Sequence, residues 1–139
     1  MTESIIVNFD IQNETEIRKI RNSVFSSEQQ IPEDVDFDGR DPDAIHVLVK
    51  MEGRFVGTGR MLKDGHIGRL AVLQDHRGKG AGAKAVKALI EEAVRKGFKR
   101  VFLGAQLHAS GFYNKLGFKE YGSVFVEVGI EHIHMEKII

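Results

Sequence analysis

The chain has 139 residues, with 20 basic and 20 acidic side chains, 42% apolar residues and no cysteine. This length and composition predict one soluble domain, residues 1–139, with one core. A neutral net charge gives no general attraction to nucleic acid, and no apolar run approaches the roughly 20 residues that span a bilayer. The lack of cysteine excludes disulfides, zinc–thiolate sites and a cysteine-linked acyl intermediate. A start without a basic leader favours a cytoplasmic protein.

The spacing of apolar residues predicts seven strands and three helices in the order β-α-βββ-α-β-α-ββ. The strands are expected at 4–9, 44–51, 54–62, 66–73, 99–105, 118–126 and 131–138, and the helices at 13–25, 80–96 and 110–118. Glu-Gly and Asp-Gly connections predict hairpins between the second, third and fourth strands. A strand, helix and strand in succession require a parallel crossover. We therefore expect a mixed α/β fold of the α+β type, with one central sheet.

The helix expected at 80–96 has the clearest amphipathic pattern. Its apolar face is formed by Val86, Leu89, Ile90, Ala93 and Val94. Gly97 follows as a C-terminal stop. The earlier segment 27–43 is acidic, contains both prolines and is expected to be mostly loop.

The stretch "QDHRGKGAGAKAV" (74–86) resembles two phosphate-binding motifs without fulfilling either. "GKGAGA" fits the dinucleotide pattern G-x-G-x-x-A, but "QDHR" separates it from the preceding strand. The following strand also ends in Gly104 and Ala105, where an acid for the ribose is required. A P-loop needs Gly and Ser or Thr where Ala83 and Ala85 stand. The sequence therefore predicts neither a dinucleotide-binding site nor a P-loop.

Four small residues, 80–83, nevertheless begin a helix. Their backbone N–H groups, the helix dipole and the charges of Arg77 and Lys79 predict a metal-free pyrophosphate site. A plain strand-to-helix turn is the alternative.

The segment from Gly68 to Gly97 resembles the GNAT superfamily of N-acetyltransferases. The acetyl-CoA signature of that superfamily, [Q/R]-x-x-G-x-[G/A], is matched by Arg77, Gly80 and Gly82 after an L-x-V strand. A second motif, N-x-x-A-x-x-x-Y-x-K-x-G-F, is matched in register by "QLHASGFYNKLGF", with Gln106 in place of Asn. The predicted element order is also that of a GNAT domain. The resemblance covers nearly the whole chain, points to a small bacterial branch and implies the GNAT acyl-CoA N-acyltransferase fold.

The resemblance implies acetyl-CoA as a co-substrate and no metal. Amides of residues 77–83 would bind the pyrophosphate, residues 70–72 would pair with the pantetheine arm, and the Val72 amide would polarise the thioester carbonyl. Tyr113 would donate a proton to the departing thiolate; a core tyrosine is the alternative. The residues assigned to the co-substrate are Leu70, Ala71, Val72, Arg77, Gly78, Lys79, Gly80, Ala81, Gly82, Ala83, Gln106 and Tyr113.

An alkyl amine, with a pKa of roughly 10, arrives protonated at neutral pH, so catalysis needs a base. Glu28 follows the first helix, where GNAT domains contact the acceptor, and His108 lies close to Tyr113 in the chain. Both are candidates for the base and for acceptor binding. The alternatives are a solvated carboxylate and a surface histidine. His66, in a hairpin turn, and the acids of 33–41 are weaker candidates, and His66 is expected to be exposed.

Three other features bear on the acceptor. Arg69 is assigned to acceptor binding, with a cross-strand ion pair as the equal alternative. His132 and His134 share one strand face, a spacing used in some metal sites, but no third ligand is found and no metal is predicted. The acidic tract 33–41 would attract a cationic acceptor or simply be solvated.

The sequence therefore predicts an N-acetyltransferase in which acetyl-CoA and a primary amine bind together and the amine attacks directly. The acceptor is expected to be a small molecule or a peptide. A non-catalytic acyl-CoA-binding or sensor module on the same fold is the alternative, and a dinucleotide-dependent oxidoreductase is a distant third. No nucleic-acid or membrane partner is expected, and a homodimer is left open.

Overall fold

The computed structural model describes residues 1–139 and has the predicted order of elements, with one short helix added in the acidic loop. The strands are β1 (Thr2–Val7), β2 (Ile45–Met51), β3 (Arg54–Met61), β4 (Ile67–Val72), β5 (Arg100–Gln106), β6 (Lys119–Glu127) and β7 (Ile130–Ile138). The helices are α1 (Ile11–Arg21), α2 (Glu33–Asp36), α3 (Ala81–Arg95) and α4 (Ser110–Lys115). None of these helices has the length and apolar character needed to cross a membrane.

The strands form two antiparallel sheets, β1-β2-β3-β4 and β5-β7-β6. The sheets join at His66 and Phe102, which pair as a parallel bridge and stack their rings at 4.8 Å. The Phe102 N–H also donates to the Gly65 carbonyl at 3.0 Å. The mixed α/β class is confirmed, but the single central sheet expected from the sequence is divided here. The expectation that His66 is exposed is wrong, because stacking on Phe102 leaves it half-buried.

A β-bulge lies in β4 just beyond this junction. Thr58 pairs with Ala71 and Arg60 pairs with Gly68, so two residues of β4 stand opposite the single Gly59 of β3. One of the two is Arg69, whose φ of 51° lies in the left-handed region. A bulge bends its strand and redirects a side chain. The distortion therefore occurs at the place where β4 leaves β5.

Helix α3 covers one face of both sheets. Its buried residues belong to a core cluster of 17 that also includes Val47 of β2, Leu103 of β5 and Met135 of β7. The prediction that Val94 belongs to the buried face is wrong, since it is 58% exposed. Ala85 lies there instead. The buried face of α3 is narrower than the sequence predicts. Val94 directly follows the buried Ala93 and is turned away from the core by the helical rotation between successive residues.

Helix α1 packs on the other face, against a six-residue cluster that includes Leu48 and Ala71. Asp10 caps the helix by accepting from the Asn13 N–H at 2.9 Å. After Arg21 the chain continues as wider π-helical turns from Asn22 to Glu28. The helix is thus longer at both ends than the predicted 13–25. Its π-helical end carries Glu28 and the following Gln29 to the space between β4 and β5.

Candidate active site

A cleft of about 1480 Å³ opens where β4 and β5 separate. One side is formed by the end of β4, the loop after it and the first turn of α3, and the other by the end of β5 and α4. The cleft brings together every site residue assigned from the sequence except Lys79. Lys79 lies in a small surface depression beside Met1 and Met51.

The first turn of α3 presents unpaired backbone donors to the cleft. The Lys84 N–H makes the first hydrogen bond of the helix, to the Gly80 carbonyl at 3.1 Å, so the N–H groups of Ala81, Gly82 and Ala83 have no acceptor within the helix. Gly80 occupies the N-cap position with φ 86° and offers no capping side chain. A Cβ on Gly82 would lie 3.3 Å from the Phe112 ring. The turn is therefore a glycine-lined backbone surface at the positive end of a helix dipole, which suits an anion.

The end of β4 offers a further free amide. The Leu73 N–H donates to the Val56 carbonyl of β3 at 2.9 Å. Because successive N–H groups of a strand point in opposite directions, the Val72 N–H faces away from β3 and into the gap. The Val72 carbonyl lies on the same side and accepts from Arg77 Nε at 3.0 Å. The inner edge of β4 thus has a donor available to a ligand in the gap.

Tyr113 lies on α4 and lines the cleft from the opposite side. Its ring packs edge-on against Phe112 at 4.9 Å and Phe118 at 5.9 Å. Burial raises the pKa of Tyr113 to about 12. The phenol therefore keeps its proton at neutral pH and is available as a donor.

Two side-chain bridges cross the cleft from the end of the π-helical segment. Glu28 accepts two hydrogen bonds from the Arg77 guanidinium, each of 2.6 Å. Gln29 Oε1 accepts from Gln106 Nε2 at 3.2 Å. Consecutive residues therefore connect α1 to the loop before α3 and to the end of β5. Hydrogen bonding from Arg77 also holds the pKa of Glu28 below its ordinary value.

A buried ion network lies behind this wall. Arg21 is 1% exposed and bonds Asp36 Oδ1 at 3.0 Å and Asp41 Oδ1 at 2.8 Å. Arg60 bonds the same Asp41 oxygen at 3.0 Å. Burial acts to raise the pKa of Asp41, but the two guanidinium groups outweigh it and hold the pKa below its usual range.

The bulged Arg69 connects this network to the cleft. Its Nε donates to the Asp36 carbonyl at 3.0 Å, and its Nη2 lies 3.3 Å from Asp38 Oδ2. Arg60 pairs with the same Asp38 at 2.7 Å and holds its pKa well below the ordinary value. The tract 33–41 is therefore not simply a solvated acidic loop. Three of its aspartates are neutralised by arginines from α1, β3 and β4, pairings for which the sequence carries no local signal.

The cleft also collects five of the six histidines, namely His66, His76, His108, His132 and His134. His108 lies in a short 3-10 turn after β5 and is exposed. His132 and His134, weighed in the sequence only as a metal pair, line the cleft from β7. No group of three or more His, Cys, Asp or Glu side chains is placed to hold a metal ion.

Comparison with known proteins agrees with this architecture. The family model described as an acetyltransferase (GNAT) domain matches residues 12–139. The protein YyaT of Bacillus subtilis is 38% identical over 130 residues, covering 89% of this chain and 88% of YyaT. The N-acetyltransferase YjcF of the same organism is 34% identical over 122 residues, covering 85% of this chain and 87% of YjcF.

A crystal structure gives the same result at the level of the fold. Escherichia coli ElaA superposes with a TM-score of 0.88 and is 30% identical, with 99% of each chain covered. The match extends over both sheets and the cleft between them, since almost no residue of either chain lies outside it. The chain belongs to the GNAT family of acetyltransferases.

Proposed function

We propose that this protein is an acetyl-CoA-dependent N-acetyltransferase that acts on a primary amine in a complex with both substrates. One observation carries the proposal: the free amides of the α3 turn, the inner edge of β4 and Tyr113 line one continuous cleft. Ligand pockets usually measure about 300–1,000 Å³. A cleft of about 1480 Å³ has room for a donor and an acceptor together.

The residues of the cleft fit a CoA thioester in three separate places. The amides of residues 81–83 and the guanidinium of Arg77 suit the pyrophosphate. The open edge of β4 at Leu70–Val72 suits the extended pantetheine arm, which would take the place of a neighbouring strand. When bound there, acetyl-CoA supplies an activated acetyl group.

Two residues are placed to assist the transfer of that group. The Val72 N–H, which faces the gap, would stabilise the negative charge that develops on the thioester oxygen. Tyr113 would give its proton to the sulfur as the thiolate leaves. Its hydroxyl makes no hydrogen bond within the protein, so no internal acceptor competes for the proton. Lys79 lies outside the cleft and contributes only general positive charge near the phosphates.

The two proposed bases differ in their surroundings. Glu28 binds Arg77 through both oxygens and has a lowered pKa, so in this arrangement it is a poor proton acceptor. His108 is exposed and makes no hydrogen bond that would orient it. Arg69 and Asp36 lie at the acceptor end of the cleft as an ion pair of 3.2 Å. The proposed acceptor is a small molecule or peptide that carries an amine. Because arginines neutralise the aspartates of the tract 33–41, we expect no preference for a highly cationic acceptor.

Two measurements test the proposal. In calorimetry, CoA should bind the purified protein and raise its melting temperature, whereas NAD should do neither. A panel of polyamines, aminoglycosides, amino acids and short peptides, screened for thiol release from acetyl-CoA, should then identify an acceptor. Stabilisation by NAD alone would refute the assignment. CoA binding without acetyl transfer to any amine would favour a sensor module instead.

A further inference from the structure

His132 lies beside the end of the gap between β4 and β5. It alternates along β7 with Ile133, which belongs to the core cluster under α3, so His132 faces the other side of the sheet. In the ladder it stands directly opposite Gln106, the last residue of β5. Opposite residues of an antiparallel pair place their side chains next to each other on one face. Both residues line the cleft.

Stacking fixes the plane of the His132 ring. The Phe125 ring stacks on it at 5.5 Å and on His134 at 4.2 Å. Phe125 lies close against β5 because Gly104 has no side chain; a Cβ there would be 3.1 Å from the Phe125 ring. The ring of His132 is therefore held against a phenylalanine that is itself seated on the neighbouring strand.

One hydrogen bond fixes the tautomer of His132. Its Nδ1 lies 2.7 Å from the Ile130 carbonyl oxygen. A carbonyl oxygen only accepts, so in the neutral ring the proton is on Nδ1 and the lone pair is on Nε2. Ile130 directly follows the tight turn at Val128 and Gly129, whose φ angles are 51° and 73°. The turn places the carbonyl that orients the ring.

The Nε2 atom is left available. It has no hydrogen-bond partner in the protein. It is also not fully buried, so a ligand in the cleft can reach it. Two carboxylates of the cleft, Glu28 and Asp36, are already engaged in ion pairs with arginine guanidinium groups. His132 is thus an oriented imidazole with an open acceptor nitrogen, at the point of the cleft where β5 ends.

We infer that His132, through Nε2, is the base that takes a proton from the acceptor amine, an inference that rests on the proposed function. The N–H bond of the ammonium breaks, an Nε2–H bond forms, and the freed electron pair makes the new C–N bond as the C–S bond breaks. Tyr113 protonates the thiolate and recovers a proton from the nitrogen as the amide forms. The imidazolium returns its proton to water.

The tautomer is tested on the protein without substrates. Long-range 1H–15N correlation spectra distinguish the protonated from the unprotonated ring nitrogen, and the signals of His132 are assigned by their loss in His132→Gln. We expect the neutral ring to carry its proton on Nδ1. A proton on Nε2 would remove the acceptor atom and overturn the inference, whatever the activity of the enzyme.

The role in proton transfer is tested with two nucleophiles. His132→Gln should lower kcat for the best amine of the screen by on the order of 100-fold. The loss should be much smaller with hydroxylamine, whose nitrogen is unprotonated at mildly alkaline pH. Glu131→Gln, a change at the neighbouring exposed position of β7 that does not line the cleft, is the control and should keep kcat near the wild-type value.

The outcomes distinguish a failure of His132 as the base from a failure of the proposed acetyltransferase function. Equal losses with both nucleophiles, or wild-type kcat in a folded His132→Gln protein, would overturn His132 as the base and leave the acetyltransferase assignment intact. Wild-type protein that neither binds CoA nor transfers acetyl to any nucleophile would overturn both. Calorimetric CoA affinity should be the same in His132→Gln and wild type, since the residue lies away from the phosphate turn.

Discussion

Glu28 and Arg77 are joined by two hydrogen bonds of 2.6 Å that cross the cleft between the end of α1 and the loop before α3. The two residues lie 49 positions apart in the chain, and their pair links the π-helical segment to the loop before α3. One guanidinium cannot present the same N–H groups to a carboxylate and to a phosphate. A pyrophosphate bound at the α3 turn, as proposed, would therefore compete with Glu28 for Arg77.

Glu28→Gln should consequently tighten CoA binding. The exposed pair contributes about 0–1 kcal/mol, so its loss should lower the calorimetric Kd by up to about fivefold. The effect should shrink as salt is added. Glu91→Gln, the same change at an exposed α3 position without an ion pair, is the control and should leave Kd unaltered. A weaker affinity in Glu28→Gln would show that the pair supports the loop and does not compete with the ligand.

Tyr113→Phe should lower kcat without changing the affinity for CoA. Loss of a general acid reduces the rate by about 100-fold or more, whereas the ring contacts with Phe112 and Phe118 remain. Tyr121→Phe, the same change at the only other tyrosine, removes a 3.1 Å hydrogen bond from Arg100 and should keep its activity. Equal activity in both variants would remove Tyr113 from the mechanism.

The pH dependence of kcat offers a separate test of Tyr113. The group must be protonated to act as an acid, and burial raises its pKa to about 12. In wild-type enzyme kcat should therefore not decline as pH rises past roughly 10, the ordinary value for a tyrosine. A decline centred on that ordinary value, absent from Tyr113→Phe, would show a tyrosine that is not shielded from water.

Asp41→Asn should destabilise the fold by about 3–5 kcal/mol, because it leaves the buried Arg21 and Arg60 short of a negative partner. The measurement is the free energy of unfolding in urea. Asp43→Asn, in the same turn but exposed and outside the ion network, should change it by at most about 0.5 kcal/mol. Similar losses of unfolding free energy in both variants would show that the turn, and not the ion network, is responsible for the destabilisation.

Acid should lower the melting temperature in two stages. Burial lowers the pKa of His46, so its contribution to stability is lost as pH falls below roughly 6.5. The pKa values of Asp38 and Asp41 are also lowered, so their contribution is complete above about 3.9 and is lost as pH falls from that value toward their lower pKa values in the folded protein. Thermal melts across this range check both stages. In His46→Gln the first stage should be smaller, with a remainder from His66, whose pKa is also lowered by burial, and the second stage should be unchanged.

The features that the sequence predicted well are those with local causes. The sequence predicts a helix at 80–96, and α3 runs from Ala81 to Arg95. Both signals, the helical spacing of apolar residues and the glycine that ends the helix, lie within the segment itself. The free amides in its first turn follow from general helix geometry, and their role as an anion site remains a prediction. The order of strands and helices along the chain was also predicted correctly, from the periodicity of apolar residues.

The features that it did not predict depend on contacts between distant segments. The bulge at Arg69 has no glycine to mark its positive φ, so the division of the sheet had no signal. Arg21 bonds Asp36 and Asp41, which lie 15 and 20 residues later in the chain. From composition alone, that acidic segment is expected to be a solvated loop. His132 has its partner only two residues away, but the direction of that carbonyl is set by the turn at Val128.

The divided sheet has a consequence for where the free edge of β4 lies. A strand with unpaired amides at the rim of a sheet is a template for pairing with another chain. Here the Val72 N–H faces inward, toward β5, where an extended ligand can reach it. The donor edge of β4 therefore lies in the gap between the two sheets, open to an extended ligand.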